Sequence, residues 1–350
     1  MAAFTLHNGD CKSVMKTLPD NSIGSIVTDP PYGLSKDPDI EEVLRNWEAR
    51  TAYDHGASGF MGKAWDSFVP NPDVWDEAYR ILKPGGYLLA FAGTRTQGLM
   101  ATSIEMAGFK IARQLSWVYG SGFPKSLDIS KAIDSMKGAD REVIGSNPNH
   151  RPVSGVDYAG VYAGGNTGSE SVTAPASEEA KKWSGWGTAL KPAFEPIIVA
   201  MKPYEDGSYP TVHDSWQAFL YTAKASRSER EEGLQEHDTG IVDPSRKPGS
   251  AGRQNPRAGA GRSGEERANI HPTVKPVAIM EWLVSLDGIT EPILDPFTGS
   301  GTTGKACGNV NKEFVGIEMT PEYVEIARRR IQYAYDTFQE PQEEWNPFGI

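Results

Sequence analysis

Cysteine is almost missing from this chain of 350 residues, which carries only Cys11 and Cys307. The six histidines are scattered at 7, 55, 150, 213, 237 and 271, so no close pairing of ligating residues suggests a zinc or iron–sulfur site. No metal is expected, and two distant thiols fit a reducing compartment. Long apolar runs are missing too. None approaches the ~20 residues of a membrane helix, and the amino terminus lacks a basic-then-apolar leader. A soluble cytoplasmic protein with no membrane partner is therefore expected. Cations are in deficit: 35 Lys and Arg face 46 Asp and Glu, for a net charge of -11. Such a balance ordinarily argues against a nucleic-acid partner, whose phosphates require lysine and arginine. The deficit is uneven, however. From Ile241 to Lys275 seven bases meet three acids, a net +4 that leaves -15 for the rest. An acidic body with one basic segment is compatible with DNA binding, and a solvated loop would carry the same charges.

The stretch that organises the chain is Ile23 to Tyr32, an apolar run ending in Asp29-Pro30-Pro31-Tyr32. Ile23, Ile26 and Val27 predict a buried strand, which must stop where two prolines cannot donate to a ladder. Asp29 precedes proline and is pushed to extended backbone, at the sheet edge where open α/β folds bind ligands. Before it, Phe4–Leu6 predicts a strand ending near Asp10, and a short helix carries Val14, Met15 and Leu18. After it, residues 33–63 have poor periodicity and are expected to form a lid or substrate arm. A helix follows from Asn71-Pro72, then a strand over Tyr87–Ala92, a helix over Gly98–Ala107 and a strand over Leu115–Tyr119. Pro196–Met201 predicts its partner strand. Residues 120–191 and 203–269 are rich in Gly, Ser, Pro and Asn and predict insertions, with a helix near Lys125–Met136. Their Trp183, Trp186 and Trp216 suit small-core packing better than base stacking. The core resumes with a helix from Val277, a strand into Asp295, a glycine-rich turn, a strand over Phe314–Ile317 and a long helix from Thr320-Pro321.

The turn Asp295-Pro-Phe297-Thr298-Gly299-Ser300-Gly301-Thr302-Thr303-Gly304 admits several readings. Gly299, Gly301 and Gly304 match G-x-G-x-x-G, with Glu318 at the distance of a ribose ligand. A nicotinamide domain would need more chain downstream than one strand and one helix. The phosphate-loop pattern nearly fits as well, but Ala306 stands where a magnesium-binding hydroxyl belongs. In a third reading the glycines let the backbone approach a ligand without phosphates, such as the methionine part of S-adenosylmethionine, while Glu318 takes the ribose hydroxyls.

Asp29-Pro30-Pro31-Tyr32 together with Asp295-Pro-Phe-Thr-Gly-Ser-Gly301 resembles the amino-group DNA methyltransferases, which act on N6 of adenine or N4 of cytosine. Catalytic motif first and cofactor motif last resembles their beta class, of phage or bacterial type. The resemblance implies an α/β fold: a doubly wound, seven-stranded, mostly parallel sheet of the Rossmann-like S-adenosylmethionine-dependent methyltransferase type, circularly permuted and carrying inserted target-recognition segments. Residues 1–120 would be the catalytic half, 121–269 the recognition region with a core strand near 195–202, 270–340 the cofactor half and 341–350 a tail. Asp29, Pro30, Pro31 and Tyr32 would be catalytic. Asp10, Cys11, Lys275, Asp295, Phe297, Thr298, Gly299, Ser300, Gly301, Thr302, Thr303, Glu318 and Met319 would bind the cofactor. His271-Pro-Thr-Val-Lys275-Pro is similar to the segment that closes on its methionine end, and Trp117 to an aromatic near the target base. The stretches 120–125 and 187–193 resemble phage members.

The resemblance further implies S-adenosylmethionine as cofactor and double-stranded DNA as substrate, in a prokaryotic or phage-infected cell. A homodimer and a cognate restriction enzyme are the other partners it brings into view. Asp at the first motif position leans toward adenine, with N4-cytosine the alternative and an inactive DNA-binding module a more distant one. Cytosine carbon-5 chemistry needs a cysteine nucleophile that usually follows proline, whereas Cys11 follows Asp10 and Cys307 follows Ala306. Zinc deamination lacks its ligand pattern. The insertions are expected to read DNA, with Trp117, Lys125, Arg253, Arg257 and Arg262 as contacts.

Overall fold

The computed structural model describes residues 2–33, 38–51, 53, 68–119, 127–146, 171–188, 193–211, 215–235 and 267–339. In chain order the elements are β1 (Phe4–Asn8), α1 (Cys11–Met15), β2 (Ile23–Thr28), α2 (Ile40–Glu48), α3 (Pro72–Ile81), β3 (Leu82–Phe91), α4 (Gln97–Met106), β4 (Lys110–Val118), α5 (Ile129–Lys137), β5 (Val143–Ser146) and β6 (Ser171–Thr173). Then come α6 (Glu178–Lys182), β7 (Phe194–Met201), β8 (Phe219–Tyr221), α7 (Arg227–Glu231), α8 (Val277–Val284), β9 (Ile293–Asp295), α9 (Thr302–Asn309), β10 (Phe314–Glu318) and α10 (Pro321–Thr337). Among these helices none is long and apolar enough to cross a membrane.

Contacts divide the chain into two compact units. The first comprises Met1–Val118, Glu195–Val242 and Glu266–Ile350; the second comprises Tyr119–Phe194 and Asp243–Glu265. The expected catalytic and cofactor halves thus belong to one body. The second insertion does not separate as expected: β8 and α7 lie within the first unit, because β8 pairs with β4 through Ser116–Phe219, Trp117–Leu220 and Val118–Tyr221.

The first unit is built on a sheet ordered β1-β10-β9-β2-β3-β7-β4-β8. These are the seven expected strands plus β8, a three-residue edge strand. β1 to β3 are joined by parallel pairings, and β7 runs antiparallel to β3. The first and last strands of the chain are neighbours, from Phe4 opposite Phe314 to Asn8 opposite Glu318. All six residues of β2 are buried, as a strand covered on both faces requires. One face packs Ile26, Leu88, Ala90, Ile198 and Leu294 against Met15, Val43, Trp47, Trp75, Ile81 and Ile104 of α1 to α4. Alternate residues such as Val27, Leu89 and Val199 turn the other way and are also fully buried.

Two local expectations change. Residues 40–48 are helical rather than part of a lid: Asp39 caps the helix by accepting from Glu41 N and Glu42 N. Val43 and Trp47 one turn apart are both fully buried, and the Trp47 indole donates to Asn71 Oδ1 at 2.9 Å. Only two core anchors in nine residues made the period hard to read. Second, β3 begins at Leu82 rather than Tyr87, directly after α3; its ladder to β2 passes from Ile23–Leu82 to Ser25–Tyr87, so residues 83–86 bulge out of it, and a methyl at Gly86 would lie 2.8 Å from Gly24 O.

In the second unit, Asp134 is fully buried and accepts from Arg141, Ala176 N, Ser177 N and Ser177 Oγ. These donors hold its carboxyl far below the ordinary range, against the cost of burial, and join α5 to α6. In the first unit, Trp216 is buried against Tyr87, with ring centroids 5.4 Å apart, in keeping with a packing role. Trp183 and Trp186 are not core: they stack edge-on and remain 44% and 62% exposed, since α6 is too short to bury its own end.

Gly24→Ala and Gly98→Ala should move stability in opposite directions. A methyl at Gly24 would meet Thr290 O at 2.4 Å and Glu291 O at 2.5 Å, backbone that cannot swing away. A loss of roughly 2–4 kcal/mol in urea unfolding is expected. Gly98 lies in α4 with nothing within 4 Å, so alanine there should add about 1 kcal/mol.

Candidate active site

β2 and β9 end side by side: Asp29 follows the last residue of β2, and Asp295 is the last residue of β9. Thr28, the last residue of β2, donates its hydroxyl to Asp295 Oδ1 at 2.6 Å. Phe297 N donates to the same oxygen at 3.0 Å and the Thr303 hydroxyl to Oδ2 at 2.6 Å. Burial pushes the Asp295 carboxyl up to about 6, with Thr28, Thr303 and Phe297 N restraining the rise. The acid therefore works as a strut that binds the turn after β9 to the end of β2.

The turn itself is shaped by glycine. Gly299 and Gly301 have φ of +54° and +81°, a region that side chains rarely occupy. A methyl at Gly299 would lie 2.9 Å from His271 Nε2, and one at Gly301 2.9 Å from Ala327 Cα on α10. Behind the turn, Arg330 is fully buried and donates to Ser300 O and Ser300 Oγ at 2.6 and 3.0 Å. At the end of β10, Glu318 accepts from Gly299 N at 2.9 Å and Thr320 N at 2.7 Å. Burial raises its carboxyl, opposed by those amides. The Thr320 hydroxyl and Met319 N also favour the ionised carboxylate. His271 is pushed down to about 3 by burial and is neutral; its Nδ1 donates to Thr273 O at 2.6 Å.

Beyond Thr28 the prolines hold Asp29 and Tyr32 at the sheet edge. The buried Thr96 hydroxyl donates to Tyr32 O at 2.6 Å and pins this loop to the start of α4. Lys275 Nζ lies 2.6 Å from Asp29 Oδ2 and 3.3 Å from Glu195 Oε2. The Tyr32 hydroxyl lies 2.8 Å from Asp29 Oδ1 and 3.0 Å from Glu195 Oε2. Burial raises the Asp29 carboxyl, and the Lys275 charge restrains it. Lys275 is pulled down by burial but raised overall by the two carboxylates. Both groups shift toward the protonated form, Asp29 because it is buried and Lys275 because two carboxylates share its ammonium.

This juxtaposition of an acid-proline-proline-tyrosine loop with a glycine turn is matched by a family model described as DNA methylase, for the N6 and N4 enzymes, over residues 23–329. The chain belongs to the N6/N4 DNA methylase family. The family is S-adenosylmethionine-dependent. A similar protein is the Type II methyltransferase M.HindIII of Haemophilus influenzae, 26% identical over 354 residues that cover 93% of this chain and 94% of that one. The Type II methyltransferase M.HpaI of Haemophilus parainfluenzae is 22% identical over 333 residues, covering 93% and 73%. Among solved structures, a PvuII DNA methyltransferase described as cytosine-N4-specific aligns with TM-score 0.51 and 14% identity, over 96% of this chain and 91% of that one. That likeness bears on the fold alone.

In this DNA methylase the expected site residues fall into three groups. Asp29, Pro30, Pro31 and Tyr32 stand together at the end of β2, while Phe297, Thr298, Gly299, Ser300 and Gly301 form the turn beside it and Thr302 and Thr303 open α9. Glu318 ends β10 and Met319 follows it; their carbonyls accept from the Asn8 side-chain amide, and Glu318 O accepts from Gly9 N at 3.0 Å. Asp10 caps α1 through Ser13 N and Ser13 Oγ, and Cys11 is packed against the core with its thiol pushed up to about 12 by burial. Lys275 belongs with Asp29 rather than with the glycine turn. Lys305 is buried and pairs with Glu232, so the phosphate-loop reading has no lysine to offer. Trp117 is not a surface for a base: it is 3% exposed and its indole donates to Thr222 O at 3.0 Å. Lys125, Arg253, Arg257 and Arg262 lie outside the described residues.

The sequence reading missed Glu195, Arg330 and Thr28. Glu195 had a signal, as the one charge at the mouth of the apolar run Pro196–Met201; Arg330 had another, on the apolar face of α10.

Because Asp295 is raised in the fold, its proton stabilises the native state: the contribution is complete below about pH 4 and disappears as pH rises through about 6. Asp295→Asn removes that titration. Between pH 4.5 and 7.5 the wild type should lose roughly 2 kcal/mol relative to the variant in urea unfolding. Parallel curves would mean that Asp295 is not titrating there.

Proposed function

We propose that this DNA methylase transfers a methyl group to the exocyclic N6 of adenine in double-stranded DNA, with the target base flipped out of the duplex. The observation that carries the reading is Asp29-Pro30-Pro31-Tyr32 at the end of β2, joined through Thr28 and Asp295 to the glycine turn. The choice of adenine rests on Asp at the first motif position, and the same chemistry would serve N4 of cytosine.

S-adenosylmethionine fits the residues present. Bare glycine backbone at Gly299 and Gly301 leaves room for close approach, and Glu318 at the end of β10 is a carboxylate of the kind that suits a ribose diol. Phe297, Thr298, Gly299, Ser300, Gly301, Thr302 and Thr303 would hold it, with Asp10, Cys11, Glu318 and Met319 at its nucleoside end and Asp295 bracing the turn from below. When bound it supplies an electrophilic methyl group.

An adenine amine is a weak nucleophile because its lone pair is delocalised into the ring. The Asp29 carboxylate and the Pro30 carbonyl can accept its two N–H bonds, draw the nitrogen toward tetrahedral geometry and meet the positive charge that develops there. Each Asp29 oxygen already takes one donor, from Lys275 or Tyr32, and each retains a lone pair for the amine. The Lys275 charge favours the ionised acid against the cost of burial, and proline-fixed backbone keeps both acceptors oriented before the base arrives. The Tyr32 ring would face the extruded base. M.HindIII and M.HpaI are named Type II methyltransferases, which supports a site-specific modification role alongside a restriction enzyme.

Labelled methyl transfer from S-adenosylmethionine to unmethylated duplex DNA, followed by nucleoside analysis, tests the reading. N6-methyladenine is expected from the wild type, and Asp29→Ala should reduce the rate at least ~100-fold. N4-methylcytosine would change the base and keep the mechanism; no label in DNA would overturn the function.

The basic window supports a second expectation, that residues 120–191 and 203–269 take part in holding DNA. Neutralising Arg253, Arg257 and Arg262 should weaken binding to many sequences alike. It should also reduce the slope of log K against log salt by roughly one for each phosphate no longer neutralised. An unchanged slope would remove these arginines from the interface.

A further inference from the structure

The hydrogen-bonded set around Asp29 contains an acid that amine orientation does not require. Glu195 is the second residue of β7, ahead of six fully or nearly buried residues, and its side chain is 19% exposed. Its Oε2 is 3.3 Å from Lys275 Nζ and 3.0 Å from the Tyr32 hydroxyl. Lys275 is thereby shared between two carboxylates, and its ammonium also lies 5.1 Å from the centroids of the Tyr32 and Phe91 rings. Asp29, Glu195 and Lys275 together carry a charge of -1. If Glu195 served only to neutralise Lys275, Asp29 would make it redundant.

The Tyr32 hydroxyl has one proton and stands between two carboxylate oxygens, at 2.8 and 3.0 Å. It can donate to only one of them at a time, and it can accept from the other once that oxygen is protonated. That is the geometry of a one-step proton relay. We propose that Glu195 is a positioning residue for the methyl-transfer reaction, orienting Tyr32 and Lys275 around Asp29 and taking up, through the Tyr32 hydroxyl, the proton released by the methylated amine.

The inference rests on the methyltransferase reading above. Once the amine nitrogen has formed its bond to the methyl carbon, with the sulfonium's bond to that carbon broken and its electron pair kept by the departing thioether, the nitrogen carries a positive charge and a surplus proton. The N–H bond breaks and the proton passes to the Asp29 carboxylate, leaving a neutral methylated amine. Asp29 Oδ1–H then gives its proton to Tyr32 Oη while the Tyr32 proton passes to Glu195 Oε2. Tyr32 ends as it began, Asp29 is again a carboxylate, and Glu195 holds the proton until it leaves to water. Lys275 keeps its charge throughout and limits the repulsion between the two acids. Among the described residues, the other charged groups facing this set are Lys224, after β8, which interacts with Glu195, and Asp295, which interacts with Asp29 through space.

The test is single-turnover methylation of duplex DNA by preformed complexes of wild type, Glu195→Gln, Glu195→Asp, Tyr32→Phe and the Glu195→Gln/Tyr32→Phe double variant, from pH 5.5 to 9. Label transfer by the wild type establishes the methyltransferase reading separately from the role of Glu195. Glu195→Gln should lower the plateau rate about 10–100-fold while KM for DNA stays within about twofold. Its acid limb should move to lower pH, since a carboxylate that repels the Asp29 charge has been removed. The double variant should be no slower than the slower single variant, because both substitutions cut one relay. Glu195→Asp should recover part of the rate. In ligand-free protein, Asp-selective carboxyl carbon labelling should show the Asp29 midpoint falling in Glu195→Gln. An unchanged plateau rate would overturn the proposal. So would a loss that adds to that of Tyr32→Phe and leaves both the acid limb and the Asp29 midpoint unmoved.

Discussion

The Thr28 hydroxyl on Asp295 joins residues separated by 267 positions in the chain, and the site depends on that bond. It sits where β2 and β9 run parallel through Ser25–Ile293 and Ile26–Leu294, so the two strands must end together. A parallel pair slipped by one residue would turn Asp295 to the opposite face and separate the glycine turn from Asp29. The acid that enforces this register is 2% exposed and takes three donors, one from β2, one from its own turn and one from α9. Burying it costs stability at neutral pH, and the return is a turn whose position relative to the catalytic loop is set.

On that frame the two functional edges have different electrostatic characters. At the glycine turn, cations are turned inward. Arg330 faces the back of Ser300 and Lys305 pairs with Glu232, so the front presents backbone and the Glu318 carboxylate. Such a surface suits a neutral or cationic ligand with hydroxyls better than a chain of phosphates, in keeping with an S-adenosylmethionine-dependent family. At the Asp29 edge, two carboxylates surround one ammonium and a phenol. The surplus of negative charge lies where an amine becoming positive would sit, and it is held by proline-stiffened backbone, β7 and the 271–276 segment rather than by one loop. Preorganisation here comes from stretches of chain that meet only in the folded sheet.

Legibility followed the range of the forces. Asp29-Pro30-Pro31-Tyr32 could be placed at a strand end because proline acts on its immediate neighbours. The glycine turn was readable because positive φ selects glycine locally. Helices with a broad apolar face, such as α3 and α10, were anticipated within one or two residues. α2, with Val43 and Trp47 as its only anchors, was not, and neither was the continuous passage of α3 into β3. Trp117, Trp183 and Trp186 were assigned to the wrong environments, because a tryptophan's burial is decided by distant neighbours and leaves little trace in its own sequence context.

Family, fold class and the two facing motifs were determined by the sequence itself, since each is carried by residues adjacent in the chain whose backbone preferences or chemistry act at short range. The tertiary structure alone decided that Lys275 serves Asp29, that Glu195 joins them through Tyr32, that Arg330 braces Ser300 and that Asp295 is a strut. Each of those roles is a contact between groups far apart in the chain, and such contacts exist only after strand order and register have brought them within hydrogen-bond distance.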